Sequence, residues 1–540
     1  MTVTVAGVPA SRKTPGVNFN VVLGGPGTSA GESPYKTILL GNMIPVALTG
    51  ASPSFTVTAG TWITPGTPNT ATESPVFVPS ADDAATLFGR GSELHRMALA
   101  FFAQAPAGTL YACPVAEASG TPASAVMTFA TNASAAFTVR LKLCGEVIDV
   151  AVASGDTPTT IAAAVADAIN DSQNLPFTAQ NNAGAVTISA KHDGPRGNVL
   201  VVDMYFVDSS GNETRITTGS TTSPGATTGI WSGTGTIGTE ITLASGATQD
   251  SFANALAAIE PARYHRIVGA CIEATNIGRI VTHINSQAGP TVQLLEQAIC
   301  PTVDTYANAV TLATGQNAAR LCLAWHHASP LPAPDVAAQV AAARLYGDSG
   351  VGGLLPGEAD TPSANLDGLE LGSVVMQRVI ADQPTRTEIE NALNNGLTPL
   401  AASGARPGYA SVVRSVTTRC LRGGTPNFAV LDTSAVTVPD YVADTLRADI
   451  ATTFAGCRLA SESTDGLPPR ASLVVMPSTV RARFAQRLKE MEESAILVDV
   501  DANLSLLVVE ASATPGRLDC EIPAEVIPGL HIIAGNIRQL

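Results

Sequence analysis

The sequence predicts a mixed α/β (α+β) protein of several domains: a mixed-sheet core, an inserted β-rich domain, and extended strand arms at the N- and C-termini. Three observations carry that prediction. Strand-like and helix-like stretches alternate along most of the chain, the pattern of an α/β core. From about residue 119 to 246 the texture changes to period-two alternation joined by Ser/Thr/Gly-rich segments. Near each end a short apolar stretch follows a Pro-Gly step, Pro15-Gly16 or Pro528-Gly529.

The arms come first. Val17, Phe19, Val21 and Leu23 mark one, within 1–24; Leu530, Ile532, Ile533 and Ile537 mark the other, within 521–540. Termini are normally polar and frayed. An apolar strand there needs a sheet edge to join, at home or on a neighbour, which points to a chain that links to copies of itself. Residues 25–118 read as the first part of the core. Tyr35–Gly41 is a buried strand, Ser80 caps a helix that Gly89 stops, and Ser92 opens a helix with Leu94, Met97 and Phe101 on one face. Leu110–Val115 is the next strand.

The insert, 119–246, begins with Phe137, Val139, Leu141 and Leu143 alternating with polar residues. Gly145 turns the chain into Val147–Val152; Thr159–Asn170 is a helix; Ala185–Ala190 and Val199–Val207 are strands; 208–238 reads as loop. The second part of the core, 247–520, takes strands at Arg266–Cys271, Ala319–Trp325, Ser411–Thr418 and Ser472–Met476. Its helices are Asn276–Gln287, Pro334–Tyr346, Arg386–Asn394, Ser478–Glu493 and Pro439–Phe454, the last with Pro in its first turn.

Composition narrows the class. With 540 residues the chain can bury several cores. Charged residues are only 14%, against about a quarter in ordinary globular chains, which fits a surface covered by other subunits. The net charge of −15 disfavours nucleic acid and anionic membranes as partners. Eight scattered cysteines without a C-x-x-C pair read as free thiols of a reducing compartment. The first residues lack a secretory leader pattern, and no run reaches the ~18 apolar residues of a membrane span. Synthesis in the cytoplasm is expected.

Candidate chemistry is sparse, and no catalytic residue, cofactor or metal is assigned. Gly25–Ser33 imitates a phosphate loop but puts Glu32 where the Lys belongs. His326 and His327 are neighbours on a strand end and so face opposite ways. Asp499, Asp501, Asn503 and Glu510 have calcium-loop spacing, yet Leu504 stands at the obligatory Gly. Strand-like flanks there predict a plain hairpin turn instead. The helix Ser478–Glu493 is unusual. Its stripe of Val480, Phe484, Leu488 and Met491 predicts a buried face. Arg481 and Arg483 near its start and Glu490, Glu492 and Glu493 near its end oppose the macrodipole. Pairs Lys489–Glu493 and Arg487–Glu490 would recover part of that cost. Arg481 and Arg483 then lack a helical partner, so a solvated face and contact with an acidic partner both remain open.

Several motifs, in order, resemble the contractile-tail sheath proteins of the Mu-like phage type. They are Pro15-Gly16-Val17-Asn18-Phe19, Ile38-Leu39-Leu40-Gly41, and Leu87-Phe88-Gly89-Arg90-Gly91-Ser92-Glu93-Leu94-His95-Arg96-Met97. Further on come Glu388–Thr398, Val413–Thr418, Leu507–Glu510, Arg517-Leu518-Asp519 and the closing strand. Arg419-Cys420 departs from the pattern, where such sheaths commonly carry an aromatic residue. The resemblance implies a structural, non-enzymatic virion tail protein. Its subunits would polymerise into a helical sleeve around a tail tube, through arms that add strands to neighbours, and contract to drive the tube through the host envelope. Implied partners are further copies of the chain, the tube protein, and baseplate and terminator proteins. The helix Ser478–Glu493 would then face the tube through Arg481, Arg483, Arg487 and Lys489. The alternatives are the sheath of a related particle, a pyocin or secretion apparatus, and a β-rich surface adhesin.

Overall fold

The computed structural model describes residues 35–44, 73–129, 131–215, 231–234, 241–349, 366–377, 379–462, 473–532 and 534. The N-terminal arm, with Val17, Phe19, Val21 and Leu23, lies outside the described residues, as do Gly25–Ser33, Ile533 and Ile537.

A nine-stranded mixed sheet forms the core. Its order is Leu369–Val375, Tyr409–Val412, Thr398–Ala402, Leu321–Trp325, Gln297–Thr302, Arg266–Gly269, Lys36–Asn42, Thr109–Val115, Val76–Val78. The six strands from Thr398–Ala402 to Thr109–Val115 run parallel, and antiparallel pairs finish both margins. Parallel strands need crossover connections, and helices supply them. Glu93–Gln104 and Ala333–Ser349 pack together over the sheet. Ser80 and Ser92 accept hydrogen bonds from Asp83 and His95 backbone N–H groups, as their cap positions require. Leu94, Met97 and Phe101 are fully buried.

The insert holds a second hydrophobic cluster, drawn from residues 123–243. A five-stranded antiparallel sheet contains Phe137–Leu143, Glu146–Val152 and Val201–Val207; a four-stranded one contains Pro122–Phe129, Phe177–Asn182 and Ala185–Asp193. The helix Pro158–Asp171 packs Ile161, Val165 and Ile169 into this cluster. Strands Glu213–Arg215 and Trp231–Thr234 interrupt the stretch read as loop. Each pairs with a longer strand, Val201–Val207 or Pro122–Phe129, so pairing rather than local composition makes it a strand.

A third cluster, drawn from residues 438–526, stands apart from the core-sheet cluster. Here two expectations fail. The helix read as starting at Pro439 runs Ser434–Thr453, so Pro439 lies inside it. Ser434–Val438 is buried throughout, and that burial outweighs the bond to Ala435 O that proline cannot make. The hairpin turn expected around Asp499–Glu510 is instead a helical turn, Val500–Asn503, continued by Leu504–Leu506. Asp499 enters it with φ of 53°. Ile496, Leu497, Val500 and Leu507 all turn into the cluster, which compact turns allow and an extended pair would not. The hairpin forms later, between Val508–Ala511 and Leu518–Glu521.

Candidate functional site

The third cluster holds the helix that the sequence singled out and the start of the C-terminal segment, up to Val526. The helix Pro477–Glu493 starts on a proline, whose missing N–H costs nothing in the first turn. Val480, Phe484, Leu488 and Met491 are buried, fixing which face points outward. Its first turn holds no acid, but Glu462 reaches in from the chain before it. That carboxylate accepts from Ser478 N at 2.6 Å and from Ser478 Oγ at 3.0 Å. An anion at the N-terminus offsets the dipole that Arg481 and Arg483 oppose.

Each basic side chain of the helix has a partner within the chain. Arg481 donates to Leu507 O at 2.9 Å and Leu504 O at 2.7 Å, stapling the helical turn to the helix. Arg483 forks onto Asp449 of the neighbouring helix at 2.8 and 2.5 Å, and that carboxylate raises the pKa of the guanidinium further. Arg487 lies 3.6 Å from Asp449 and also pairs with Glu490. Lys489 pairs with Asp501 at 2.6 Å, not with Glu493. The Asp501 carboxylate raises its pKa, while the lysine side chain is 47% exposed and its partner 74%. Among the four, Lys489 is the cation held most loosely. Sequence spacing along one helix could not have found Asp449, Glu462 or Asp501, because each lies on another element.

The C-terminal segment is tied down up to His531. Val498 N donates to Glu525 O at 2.9 Å, Ile527 N to Ile496 O at 3.2 Å, and Leu497 bridges Val526. His531 Nδ1 then donates to Asp367 Oδ2 at 2.7 Å, with Nε2 3.6 Å from Asp432. Asp432 is itself forked by Arg414 at 2.7 and 2.8 Å. On either side of this polar tie, Leu530 is 69% and Ile532 78% exposed. The hairpin Val508–Ala511/Leu518–Glu521 is a two-stranded sheet whose outer edges carry no further strand among the described residues.

The histidine pair lies just past the strand Leu321–Trp325, and its two side chains diverge. His326 is buried and shares a hydrogen bond of 2.9 Å with Ser329 Oγ, and burial lowers its pKa to about 4. His327 turns outward, with Nδ1 3.2 Å from Asp304 O. Among the described residues no group of three or more His, Cys, Asp or Glu side chains is arranged to hold a metal ion, and no helix is long and apolar enough to cross a membrane.

No protein-family model matches the chain. It is 22% identical over 467 residues to the Mu-like prophage FluMu tail sheath protein of Haemophilus influenzae, covering 86% of this chain and 88% of the relative. Among solved structures, the sheath tail protein of Desulfitobacterium hafniense aligns at a TM-score of 0.43 and 12% identity, over 89% of this chain and 90% of the other. That of Listeria innocua aligns at 0.43 and 11%, over 90% of each. The likeness to the Haemophilus tail sheath protein runs along most of the chain.

Proposed function

We propose that the chain is a structural subunit of a contractile phage tail sheath, located in the virion tail. The observation that carries this reading is the match to the Haemophilus relative along nearly the whole of both chains. In this reading the subunit performs no chemistry. Copies join head to tail into an open helical sleeve around a tube, because such contacts do not close. Contraction drives the tube through the host envelope by releasing the energy of a bistable interface. Domain bounds at 25–118, 119–246 and 247–520 with arms at 1–24 and 521–540, and baseplate and terminator partners, belong to the same reading.

The exposed Leu530 and Ile532 beside a tied His531, and a hairpin with open edges, support the arm contact. The test is electron microscopy of the purified protein, alone and co-expressed with a tube protein. Hollow ridged tubules are expected; compact particles under both conditions would overturn the sleeve. A chain cut after Ile532 keeps the ties at Glu525, Ile527 and His531, and is expected to stay folded and fail to polymerise. For the tube-facing helix, Lys489→Glu is the informative change, since Arg483→Glu would also strand Asp449. Weaker tube binding with intact sheath contacts is expected; unchanged binding would remove the helix from that interface.

A further inference from the structure

Open α/β sheets have a crevice outside the carboxyl ends of two strands from which the sheet grows in opposite directions, and ligands settle there. In this chain those strands are Lys36–Asn42 and Arg266–Gly269. The sheet extends from the first toward Thr109–Val115 and from the second toward Gln297–Thr302. The crevice is filled by a side chain of the insert. Arg196, on the short helix Pro195–Val199, is only 7% exposed. Its Nη1 lies 3.0 Å from Glu93 Oε2, its Nη2 binds Asp250, and its Nε lies 4.0 Å from Glu273. The guanidinium carbon sits 5.7 Å from the Phe252 ring centroid, a second attraction for a cation.

The carboxylates are themselves held. Asn42 donates from its backbone N to Glu93 at 2.9 Å and from Nδ2 to Asp250 at 2.8 Å. Ala118 N, on the segment entering the insert, donates to Asp250 Oδ1 at 2.6 Å, and Asp250 lies on the segment leaving it. Three carboxylates therefore face one guanidinium, at the point where both connections cross. Glu273 is only loosely engaged: its Oε2 is buried without a hydrogen-bond partner among the described residues, and burial raises its pKa.

We propose that this crevice is a guanidinium-binding socket whose resident ligand is the chain's own Arg196, and that its occupancy locks both connections of the insert onto the core. The arrangement matches guanidinium chemistry. Nη2 hydrogen-bonds one carboxylate while Nη1 and Nε lie within 4.0 Å of two others, and the guanidinium carbon lies over an aromatic ring, a spread of contacts that a planar guanidinium makes better than an ammonium. The lock makes the insert a fixed extension of the core sheet. The inference is independent of the assembly reading.

The test uses the full chain with Arg196→Ala and Arg196→Lys, probed by limited proteolysis of the connecting segments at 116–121 and 245–250 and by the unfolding midpoint. Arg196→Ala is expected to speed cleavage of both segments at least tenfold. Guanidinium chloride, well below denaturing concentrations, is expected to restore most of the protection, while sodium chloride at equal ionic strength is not. If Arg196→Ala does not fold, Arg196→Lys carries the same comparison, because guanidinium outcompetes an ammonium for the socket. Rescue by guanidinium beyond that by sodium supports the socket. Equal effects of the two salts, or wild-type cleavage rates in Arg196→Ala, would overturn it.

Discussion

The core sheet and the insert bury their strands by different rules. Arg266–Gly269, Gln297–Thr302 and Leu321–Trp325 are buried at every position, as parallel strands covered on both faces must be. Phe137–Leu143 and Ala185–Asp193 alternate buried and half-buried residues, as antiparallel strands with one wet face do. Charges follow the same division. The core accepts Arg96 and Asp335 fully inside, 2.6 Å apart, and Arg96 also donates to Asn174 O and Cys144 O of the insert. The insert keeps Arg140, Lys142, Asp149 and Glu213 as a network on its wet face. A core position therefore has no harmless side, whereas an insert strand has one at every second residue.

The largest effect should come from stranding a core charge. Arg96→Met leaves Asp335 buried alone and is expected to cost about 3–5 kcal/mol in denaturant unfolding. Arg140→Ala on the insert's wet face should leave the midpoint near wild type, and a comparable loss at both sites would erase the contrast. Next come the apolar positions. Ile299→Ala in the core and Ile188→Ala in the insert, both fully buried, should each cost about 2–5 kcal/mol. Thr187→Ala, one residue away on the half-buried face, should change stability by no more than about 0.5 kcal/mol. Equal losses at 187 and 188 would refute the one-wet-face description. A further effect concerns protons. Burial lowers His95 and His326 from 6.5 to about 4, so the unfolded chain takes up protons first as the pH falls. Stability should drop from about pH 6.5 to 4, and His326→Asn should flatten that slope.

The same contrast decides what could be read without coordinates. Period-two strands such as Phe137–Leu143 and helices with caps, such as the one opened by Ser92, declare themselves locally. The strand Gln297–Thr302 does not, because Gln-Ala-Ile-Cys-Pro-Thr has neither alternation nor a β-branched run, and only its two neighbours make it a strand. The helix across Pro439 was hidden for a related reason, since burial of Ser434–Val438 overrides a local stop signal. At the candidate site the apolar stripe of Val480, Phe484, Leu488 and Met491 was legible. The partners of Arg481 and Arg483 were not, because the Leu504 and Leu507 carbonyls and Asp449 all lie on other elements. Arg196, meeting Glu93 across some hundred residues of chain, left no trace in any spacing.

The tie at His531 has a consequence of length. Ile537 follows it by six residues, and an extended chain advances at most about 3.6 Å per residue. If the C-terminal arm adds to a neighbour as proposed, the edge that receives Ile537 lies within roughly 22 Å of the point where His531 meets Asp367. In a sleeve built by such arms, that radius acts as a ruler. It bounds the reach from that tie to the receiving edge of the neighbour, and two residues removed from the span would shorten it by about 7 Å.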